Sequence, residues 1–432
     1  MGLEVFERIE SEVRGYVRNF PVIFDRAEGS YLYDTDGNAY LDFFAGASVL
    51  NYGHNHPELR KVLIDYIGSG RITHSLDMAS TAKEAFLLAF RKYILEPRGL
   101  EHKIQFPGPT GTNSVEAALK LARKVKGREK ILSFTNAFHG MTLGALAVTG
   151  NAFKRAGAGL PLTHSDSMPY YGYFGEEVDT LEYIDRLLSD QGSGVDLPAA
   201  AIVETVQAEG GVNVASLDWL KRLEQLCDRY DMLLILDDIQ MGCGRTGKFF
   251  SFEDAGLVPD IICQSKSISG YGLPMALTLV KPEYDIWEPG EHNGTFRGHN
   301  LAFVTATRAL ELFWRDDELT NEVERKGQVI RESLQQLVDK YPEVNGKVRG
   351  RGMMQAIAFE NSDMAGTVSK HAFEHKLIIE TSGPEGEVLK LMPPLTTDDT
   401  DIAKGLAIIE QAVIEAISLH GGDPTPVRAI YD

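Results

Sequence analysis

The order of apolar and polar residues predicts helices that alternate with short strands through the middle of the chain. Between about residues 56 and 305, segments with apolar residues every three or four positions alternate with short, continuous apolar runs. The predicted helices are TAKEAFLLAFRKYI, SVEAALKLARKV and LDWLKRLEQLCDRY, and the predicted strands are KILSF, AAAIVE, MLLILD and DIICQS. This alternation favours an α/β fold with a largely parallel sheet that is covered by helices on both faces.

The two ends of the chain have different patterns from the middle. Near the start, SYLYDTDGNAYLDF (30–43) alternates apolar and polar residues around Asp36-Gly37, which predicts a hairpin with a positive φ at both turn residues. Near the end, TTDD is a predicted helix start, and apolar residues follow on one helical face: Ile402, Leu406, Ile409, Val413 and Ile417. We expect a large domain at 56–305 and a smaller α+β domain that both termini build, from 1–55 and 306–432.

Composition and charge exclude several classes of protein. The 432 residues are 43% hydrophobic and 24% charged, which is typical of a globular protein, and no apolar run approaches a membrane span. A formal net charge of −19 disfavours binding to nucleic acid. The N-terminal MGLEVFERIESEVRGYVRNF lacks the apolar core of a signal peptide, and only three cysteines are present. We therefore expect a cytoplasmic protein without membrane or nucleic-acid partners.

Charged side chains follow two of the predicted strands at the point where each strand ends. In LLILDDIQMGCGRTG (233–247) the run ends in Asp237 and Asp238, and in DIICQSKSISG (260–270) it ends near Lys266. Ligands of open α/β sheets bind beyond the carboxyl ends of the strands, so these side chains are candidates for one site. Each has an ordinary alternative, since an aspartate can cap a turn and a lysine can be a solvated surface residue.

A third stretch is typical of a phosphate site. In FPGPTGTNSVEAALKLARK (106–124), Gly111, Thr112 and Asn113 lead into a predicted helix, whose first N–H groups have no partner within the helix. The stretch lacks the Gly-Lys-Ser/Thr ending of a nucleotide-binding loop. An ordinary capped helix start is the alternative.

Together these stretches resemble the class III aminotransferases of fold type I, which use pyridoxal 5'-phosphate. Further matching stretches occur in the same order along the chain: GSYLYDTDGNAYLDF, GHNHP, AFHGMTLGALAVTG, IVETVQAEGG, GTFRGHNLA and LKLMPPL. The resemblance covers nearly the whole sequence. It implies a mainly parallel seven-stranded sheet in the large domain, small-molecule amino acid and oxo-acid substrates, and no metal.

The resemblance also assigns roles to individual residues. Lys266 matches the lysine that bonds to the cofactor and moves a proton, and Asp237 matches the acid that keeps the pyridine nitrogen protonated. The remaining cofactor-binding positions implied by the resemblance are Gly111 and Thr112 at the phosphate, Ile239 and Phe138 on the two ring faces, His139, Gln240 near the phenolic oxygen and Glu204 behind the cofactor. Thr295 matches a threonine that reaches the phosphate in the neighbouring subunit, which implies a homodimer or a tetramer of such dimers.

Two more positions resemble a substrate gate of the branch of this family that acts on ω-amines. Glu209 matches a glutamate that pairs with a cation when an ω-amine is bound and swings away when glutamate needs that cation. The cation is usually arginine, but Lys390 stands here and offers a point charge instead of a fork. Arg297, where glycine is common, is a candidate second anchor or a surface residue.

Other functions stay open at this point. An aminotransferase of siderophore or polyamine synthesis, or another ω-aminotransferase that acts on ornithine or GABA, has the same motifs. A binding protein that kept the fold without turnover is a second alternative, and a divalent-metal site at Asp237 and Asp238 is a third. Gln264 is unexplained, because an apolar residue is expected there.

Overall fold

A seven-stranded sheet forms the centre of the structure, a computed structural model that describes residues 2–421. Within these residues the strands are β1 (Phe24–Glu28), β2 (Tyr31–Asp34), β3 (Ala39–Asp42), β4 (Lys103–Gln105), β5 (Ile131–Phe134), β6 (Ser165–Met168), β7 (Ala200–Val203), β8 (Val206–Gln207), β9 (Asn213–Val214), β10 (Leu233–Asp237), β11 (Ile261–Gln264), β12 (Leu277–Val280), β13 (Gly346–Arg351), β14 (Met354–Phe359), β15 (Leu377–Ile378), β16 (Glu380–Ser382) and β17 (Val388–Leu391). The α-helices of the same region are α1 (Glu4–Ile9), α2 (Tyr16–Asn19), α3 (Ala45–Ser48), α4 (Pro57–Gly68), α5 (Thr81–Phe90), α6 (Gly111–Lys126), α7 (Leu143–Ala147), α8 (Ala152–Arg155), α9 (Thr180–Ser189), α10 (Leu217–Arg229), α11 (Asn300–Phe313), α12 (Glu318–Lys340), α13 (Ser362–Glu374) and α14 (Asp399–Leu419).

The central sheet has the strand order β4-β12-β11-β10-β7-β5-β6. The strands from β11 to β6 are parallel, and β12 is antiparallel to both of its neighbours. This confirms the prediction of a mainly parallel seven-stranded sheet in an α/β fold.

Alternate residues of the central strands face two different helices. Leu234 packs in the same apolar cluster as Leu223 of α10, whereas Ile235 packs in the cluster that contains Leu119 of α6. Side chains of a strand point alternately to the two faces, so a strand between two helical layers has to be apolar at every position. The continuous run LLIL meets that requirement.

Both ends of the described chain contribute to one small sheet. Its order is β1-β2-β3-β15, and β15 pairs in parallel with β3. A second four-stranded sheet has the order β13-β14-β17-β16. The boundaries proposed for the small domain, 1–55 and 306–432, stay a prediction.

The N-terminal hairpin is present, but its turn differs from the expectation. Strands β2 and β3 pair antiparallel across a loop of four residues, and only Gly37 of the Asp36-Gly37 pair has a positive φ, +85°. The loop is instead closed by Asp34, whose carboxylate accepts hydrogen bonds from the N–H groups of Asp36 (3.0 Å) and Asn38 (2.8 Å). An aspartate that caps the loop removes the need for a second left-handed residue.

The predicted helices occur at the predicted places. Helix α14 begins after Asp398, whose side chain accepts a hydrogen bond from the N–H of Asp401 at 2.8 Å. Residues 422–432, the end of the predicted C-terminal domain, lie outside the described residues. Within the described part of the chain, no helix is both long and apolar enough to cross a membrane.

Candidate active site

The two strand ends singled out by the sequence lie side by side. Asp237 is the last residue of β10 and is in register with Cys263 of the parallel neighbour β11, and Lys266 follows two residues after that strand ends. Beyond these ends lies a cavity of about 190 Å³. It is lined by Gly111, Thr112, Phe138, His139, Gly140, Glu204, Val206, Asp237, Ile239, Gln240, Met241 and Lys266. Every predicted cofactor-binding residue except Thr295 is in this lining.

Asp237 has a partner that the sequence did not reveal. Its Oδ2 lies 2.6 Å from Nδ1 of His139, and its Oδ1 accepts a hydrogen bond from the N–H of Ile239 at 3.1 Å. Both side chains are buried. No described residue provides a hydrogen-bond partner for Nε2 of His139. The pair therefore places a carboxylate that is held at a fixed angle beside the cavity.

Lys266 has a left-handed backbone conformation and an amine whose pKa is lowered. Its φ is +51°, in the left-handed region, where it begins a short 3-10 turn that ends at Ser269. Burial lowers the pKa of its ammonium to about 8, an effect that Glu209 opposes and Lys390 reinforces. With this pKa about a tenth of the amine is neutral at pH 7, far more than for a solvated lysine, and the neutral amine is the nucleophile.

The N-terminus of α6 opens onto the cavity. Helix α6 begins at Gly111, and a Cβ at that glycine would lie 3.0 Å from Cδ1 of Ile239. Thr112 Oγ1 lies 2.6 Å from Oγ1 of Thr142, and a Cβ at Gly140 would lie 2.5 Å from the Thr112 oxygen. The two glycines leave room for free backbone N–H groups and a hydroxyl at the positive end of the helix, which is a suitable site for a phosphate.

Glu204 lines the cavity and contacts the backbone of Phe138. Its Oε2 accepts a hydrogen bond from the N–H of Phe138 at 3.1 Å, which fixes the backbone of the aromatic residue. Burial raises the pKa of this carboxyl well above its usual range, and the charge of Asp237 adds to the increase. Glu204 therefore supports the backbone of Phe138 through this hydrogen bond.

Gln264 is explained by the second aspartate of the motif. Its Nε2 donates to Oδ2 of the fully buried Asp238 at 2.8 Å, and the backbone N–H of Ser251 donates to the same carboxylate. Burial raises the pKa of Asp238 to about 7, although these hydrogen bonds act in the opposite direction. Gln264 is thus a buried donor to a carboxylate that points away from the cavity lining. No cluster of three potential metal ligands occurs in the described residues, so the structure gives the metal alternative no support.

The predicted gate pair is formed, with two additional members. Nζ of Lys390 lies 2.6 Å from Oε1 of Glu209 and 3.1 Å from Oε2 of Glu380, and Tyr16 donates to Oε1 of Glu380 at 2.8 Å. Gln240, which lines the cavity, donates to Oε1 of Glu209 at 3.2 Å. Burial favours a higher pKa for Glu209, but Lys390 and Lys266 lower it to about 2. We call these four residues, Tyr16, Glu209, Glu380 and Lys390, the gate cluster.

Sequence reasoning missed Glu380, although a signal for it exists. HKLIIETSG contains a run of apolar residues that ends in a carboxylate, the same pattern that drew attention to Asp237. Lys154 was also missed. Its Nζ lies 4.1 Å from the centre of the Phe138 ring, and no described carboxylate lies within ion-pairing distance of it.

The structure places two of the predicted residues away from this cavity. Thr295 is exposed on a short turn, where its carbonyl oxygen accepts a hydrogen bond from Nε2 of His74 at 2.7 Å. Arg297 on the same turn pairs with Asp77 and donates to the carbonyl of His292. Arg297 is therefore occupied by residues outside the cavity of its own chain.

The residues present fit pyridoxal 5'-phosphate. The cavity combines a lysine of lowered pKa, a buried carboxylate, a helix N-terminus cleared by two glycines, and two apolar side chains, Ile239 and Phe138. These groups suit an aldehyde, a ring nitrogen, a phosphate and two ring faces.

Comparison with known proteins supports the same interpretation. Residues 13–413 match the sequence model of the family described as aminotransferase class-III. A protein from Halalkalibacterium halodurans named diaminobutyrate–2-oxoglutarate transaminase is 57% identical over 411 residues, covering 95% of this chain and 96% of that protein. A protein of the same name from Streptomyces avermitilis is 59% identical over 414 residues, covering 96% and 98%. A solved ornithine aminotransferase from Toxoplasma gondii has partial occupancy of pyridoxal phosphate at its active site. It superposes on this chain with a TM-score of 0.83 at 26% identity, and the match covers 97% of this chain and 95% of that one.

Proposed function

Because the chain belongs to the class III aminotransferases, which depend on pyridoxal 5'-phosphate, we propose that it transfers the amino group of L-glutamate to L-aspartate 4-semialdehyde. The products are L-2,4-diaminobutyrate and 2-oxoglutarate. The near-complete match to relatives named diaminobutyrate–2-oxoglutarate transaminase, at 57% and 59% identity, carries this proposal.

The residues around the cavity would divide the work of such a transfer. The cofactor, when bound, supplies an electron sink for the substrate carbon that loses its proton. Lys266 would hold the cofactor and then move a proton at that carbon, for which its lowered pKa is suitable. Asp237, oriented by His139, would pair with the ring nitrogen.

The gate cluster would let one cavity accept two kinds of amine. When the ω-amine of diaminobutyrate reacts, Glu209 stays on Lys390 as the structure has it, at 2.6 Å. When glutamate reacts at its α-amine, Glu209 moves away and Lys390 is available to the α-carboxylate. The pairing of Glu209 and Lys390 at the cavity edge supports this assignment.

One cation is suited to a carboxylate that both substrates share. In glutamate and in diaminobutyrate alike, a carboxylate carbon lies three bonds from the carbon that bears the reacting amine. Lys154 lies over Phe138 at 4.1 Å, and its charge acts on Glu209. We assign it to this distal carboxylate, because Lys390 is already held by two carboxylates and Arg297 by Asp77.

The proposal includes a homodimer, or a tetramer of dimers, in which Thr295 reaches the phosphate of the neighbouring subunit. The exposed position of Thr295 supports this, since a residue on an outer turn is available to a second chain. Exposed apolar residues lie on the segment that this turn contacts through His74 and Asp77: Ile72, Leu76 and Met78. An apolar surface of this kind is typical of subunit contacts.

We further propose a cytoplasmic location and a place in the synthesis of ectoine, an osmolyte. The N-terminal residues Arg14, Tyr16, Arg18 and Phe20 resemble that branch, and the net charge of −19 suits a salty cytosol. A gene neighbourhood without an acetyltransferase and a cupin-like synthase would count against the role in ectoine synthesis. It would not bear on the proposed transfer of the amino group.

A panel of aldehydes tests the reaction. The holoenzyme is given glutamate with aspartate semialdehyde, glutamate semialdehyde or succinate semialdehyde, and kcat/KM is compared. We expect aspartate semialdehyde to give the highest value. A higher value for glutamate semialdehyde would indicate an ornithine aminotransferase, and one for succinate semialdehyde a GABA aminotransferase. No reaction with any aldehyde, despite bound cofactor, would indicate a binding protein.

A further inference from the structure

We propose that Glu380 is the fixed partner of Lys390 and a positioning residue of the gate. When Glu209 moves away, Glu380 would keep the Lys390 ammonium charged and in place for the α-carboxylate of the incoming amino acid. This inference rests on the proposed function, because it assumes that glutamate is one of the two amines.

The two carboxylates that hold Lys390 differ in how firmly they are anchored. Glu380 lies on β16 directly opposite Lys390 on β17, and the two side chains are 9% and 0% exposed. Glu209 lies in the loop between β8 and β9, and its side chain is 20% exposed. A side chain on a loop that faces a cavity can swing, whereas two facing residues of paired strands keep their separation. Glu209 is therefore the movable partner.

Tyr16 fixes the orientation of Glu380. Its hydroxyl donates to Oε1 at 2.8 Å, which leaves Oε2 directed at Lys390. The ring of Tyr16 packs against Phe44, with 5.0 Å between the ring centres. Apart from the ammonium of Lys390, no described group contacts the buried Oε2 as a hydrogen-bond donor. These contacts indicate that the Glu380 carboxylate holds the ammonium of Lys390 in place.

The electrostatics of the exchange require such a partner. Lys390 has no exposed surface, and a buried ammonium that loses its only counter-charge either loses its proton or destabilises the site by several kcal/mol. With both glutamates present, the Lys390 ammonium and the two carboxylates carry a net charge of −1. If a substrate carboxylate replaces that of Glu209, the same net charge is restored. An ammonium has three donors, so Lys390 can keep Glu380 while it exchanges the other carboxylate.

The test compares the two half-reactions of the holoenzyme in single turnover. Glu380→Gln is the main variant and Tyr16→Phe the milder one. We expect Glu380→Gln to lower the affinity for glutamate at least about 10-fold, because a charged contact of Lys390 is lost when Glu209 leaves. The rate of the half-reaction with diaminobutyrate should change less than about 3-fold. Tyr16→Phe should shift the ratio of the glutamate half-reaction to the diaminobutyrate half-reaction in the same direction by a smaller factor. If the wild type rejects diaminobutyrate, the proposed function fails, and ornithine or GABA takes its place in the comparison.

Matched controls and a pH profile separate positioning from a general structural effect. Glu410→Gln removes a carboxylate that pairs with Lys340, and Tyr31→Phe removes a hydroxyl that donates to Asp401, both away from the cavity. Neither should alter the ratio of the half-reactions. In Glu380→Gln, the reaction with glutamate should also decline at a lower alkaline pH than in the wild type, because Lys390 loses its proton more easily. Equal effects on both half-reactions, or no effect of either variant, would overturn the proposal.

Discussion

Lys266 combines a backbone conformation and a protonation state that are both unfavourable for a lysine. A φ of +51° is uncommon for a residue with a Cβ, and strain of this kind is concentrated at functional sites. The amine is held at the cavity with a pKa of about 8 because its environment is poor in water. The folded protein without cofactor therefore carries an unfavourable side chain at this position.

Replacement of Lys266 should stabilise the cofactor-free protein while it abolishes transamination. The ammonium has a pKa of 10.5 when solvated and about 8 when folded, so below pH 8 it is charged in both states and the cost of burial is fully present. Between these values the folded protein releases the proton first, and the cost declines as the pH rises. We expect Lys266→Met to raise the free energy of unfolding by about 2 kcal/mol near pH 7 and by less near pH 10. Urea unfolding of both apoproteins at the two pH values measures this, and a gain that grows with pH would contradict it.

Lys154 provides a second prediction at the residue scale. We expect Lys154→Met to raise KM for glutamate and for 2-oxoglutarate by about 10- to 100-fold, because a charged hydrogen bond to the distal carboxylate is lost. Lys154→Arg should retain most of the affinity. Lys370→Met is the control, since it removes an exposed lysine from α13. The experiment includes 1,3-diaminopropane, which has no carboxylate, and an equal loss with this amine would show that Lys154 acts on something else.

At the scale of elements, the sequence predicts where the strands and helices at the cavity lie, but it does not predict all the contacts between them. Continuous apolar runs give the positions of β10 and β11, because both faces of these strands are buried, and apolar residues every three or four positions give α6, because one face of that helix is buried. The same pattern is silent about strand direction, so the antiparallel β12 was not foreseen. It is equally silent about the His139–Asp237 contact, which joins residues 98 positions apart. Periodicity reports which side chains are buried, whereas partners across the fold depend on how the elements are assembled.

The turn at α3 shows the limit of sequence patterns most directly. Ala45, Gly46, Ala47 and Ser48 all have positive φ, and only one of them is glycine. Left-handed backbone costs roughly 1 kcal/mol or more for each residue with a Cβ. The turn is held by Arg245, which donates to Ser48 Oγ at 3.0 Å, and by Gln240, which donates to the carbonyl of Ala47 at 3.2 Å. Contacts from the loop after β10 thus impose a conformation that the local residues disfavour.

The start of α6 allows cofactor binding and helix stability to be separated. Thr112 faces the cavity, whereas Thr110 donates to Oδ1 of Asn113 at 2.8 Å and helps to close the first turn. We expect Thr112→Val to weaken cofactor binding by about 10-fold with little change in the stability of the apoprotein, because a phosphate contact is lost. Thr110→Val should lower that stability by about 1 kcal/mol and affect the cofactor less. Cofactor titration and thermal unfolding of each apoprotein measure the two effects, and identical profiles would refute the division of roles.

At the scale of the whole molecule, the cofactor cavity of a single chain lacks one predicted residue, Thr295. Thr295 lies on an exposed turn, and that turn contacts His74 and Asp77 in a segment whose apolar residues Leu76 and Met78 are exposed. A second copy packed on this surface would bury these residues and bring Thr295 to the other cavity. Complete sites would then exist only in the dimer.

Mixed dimers test this arrangement directly. A dimer of one Lys266→Ala subunit and one Thr295→Val subunit, purified with two different tags, contains one cavity with an intact Lys266 and an intact Thr295 from the partner. At limiting cofactor we expect this dimer to reach up to half of wild-type turnover, while the Lys266→Ala homodimer is inactive and the Thr295→Val homodimer is mostly without cofactor. If Thr295 instead served its own chain, the only subunit with Lys266 would carry valine at position 295. The cavity that carries Lys266 would then bind cofactor no better than a cavity of the Thr295→Val homodimer, and the activity of the mixed dimer decides between the two arrangements.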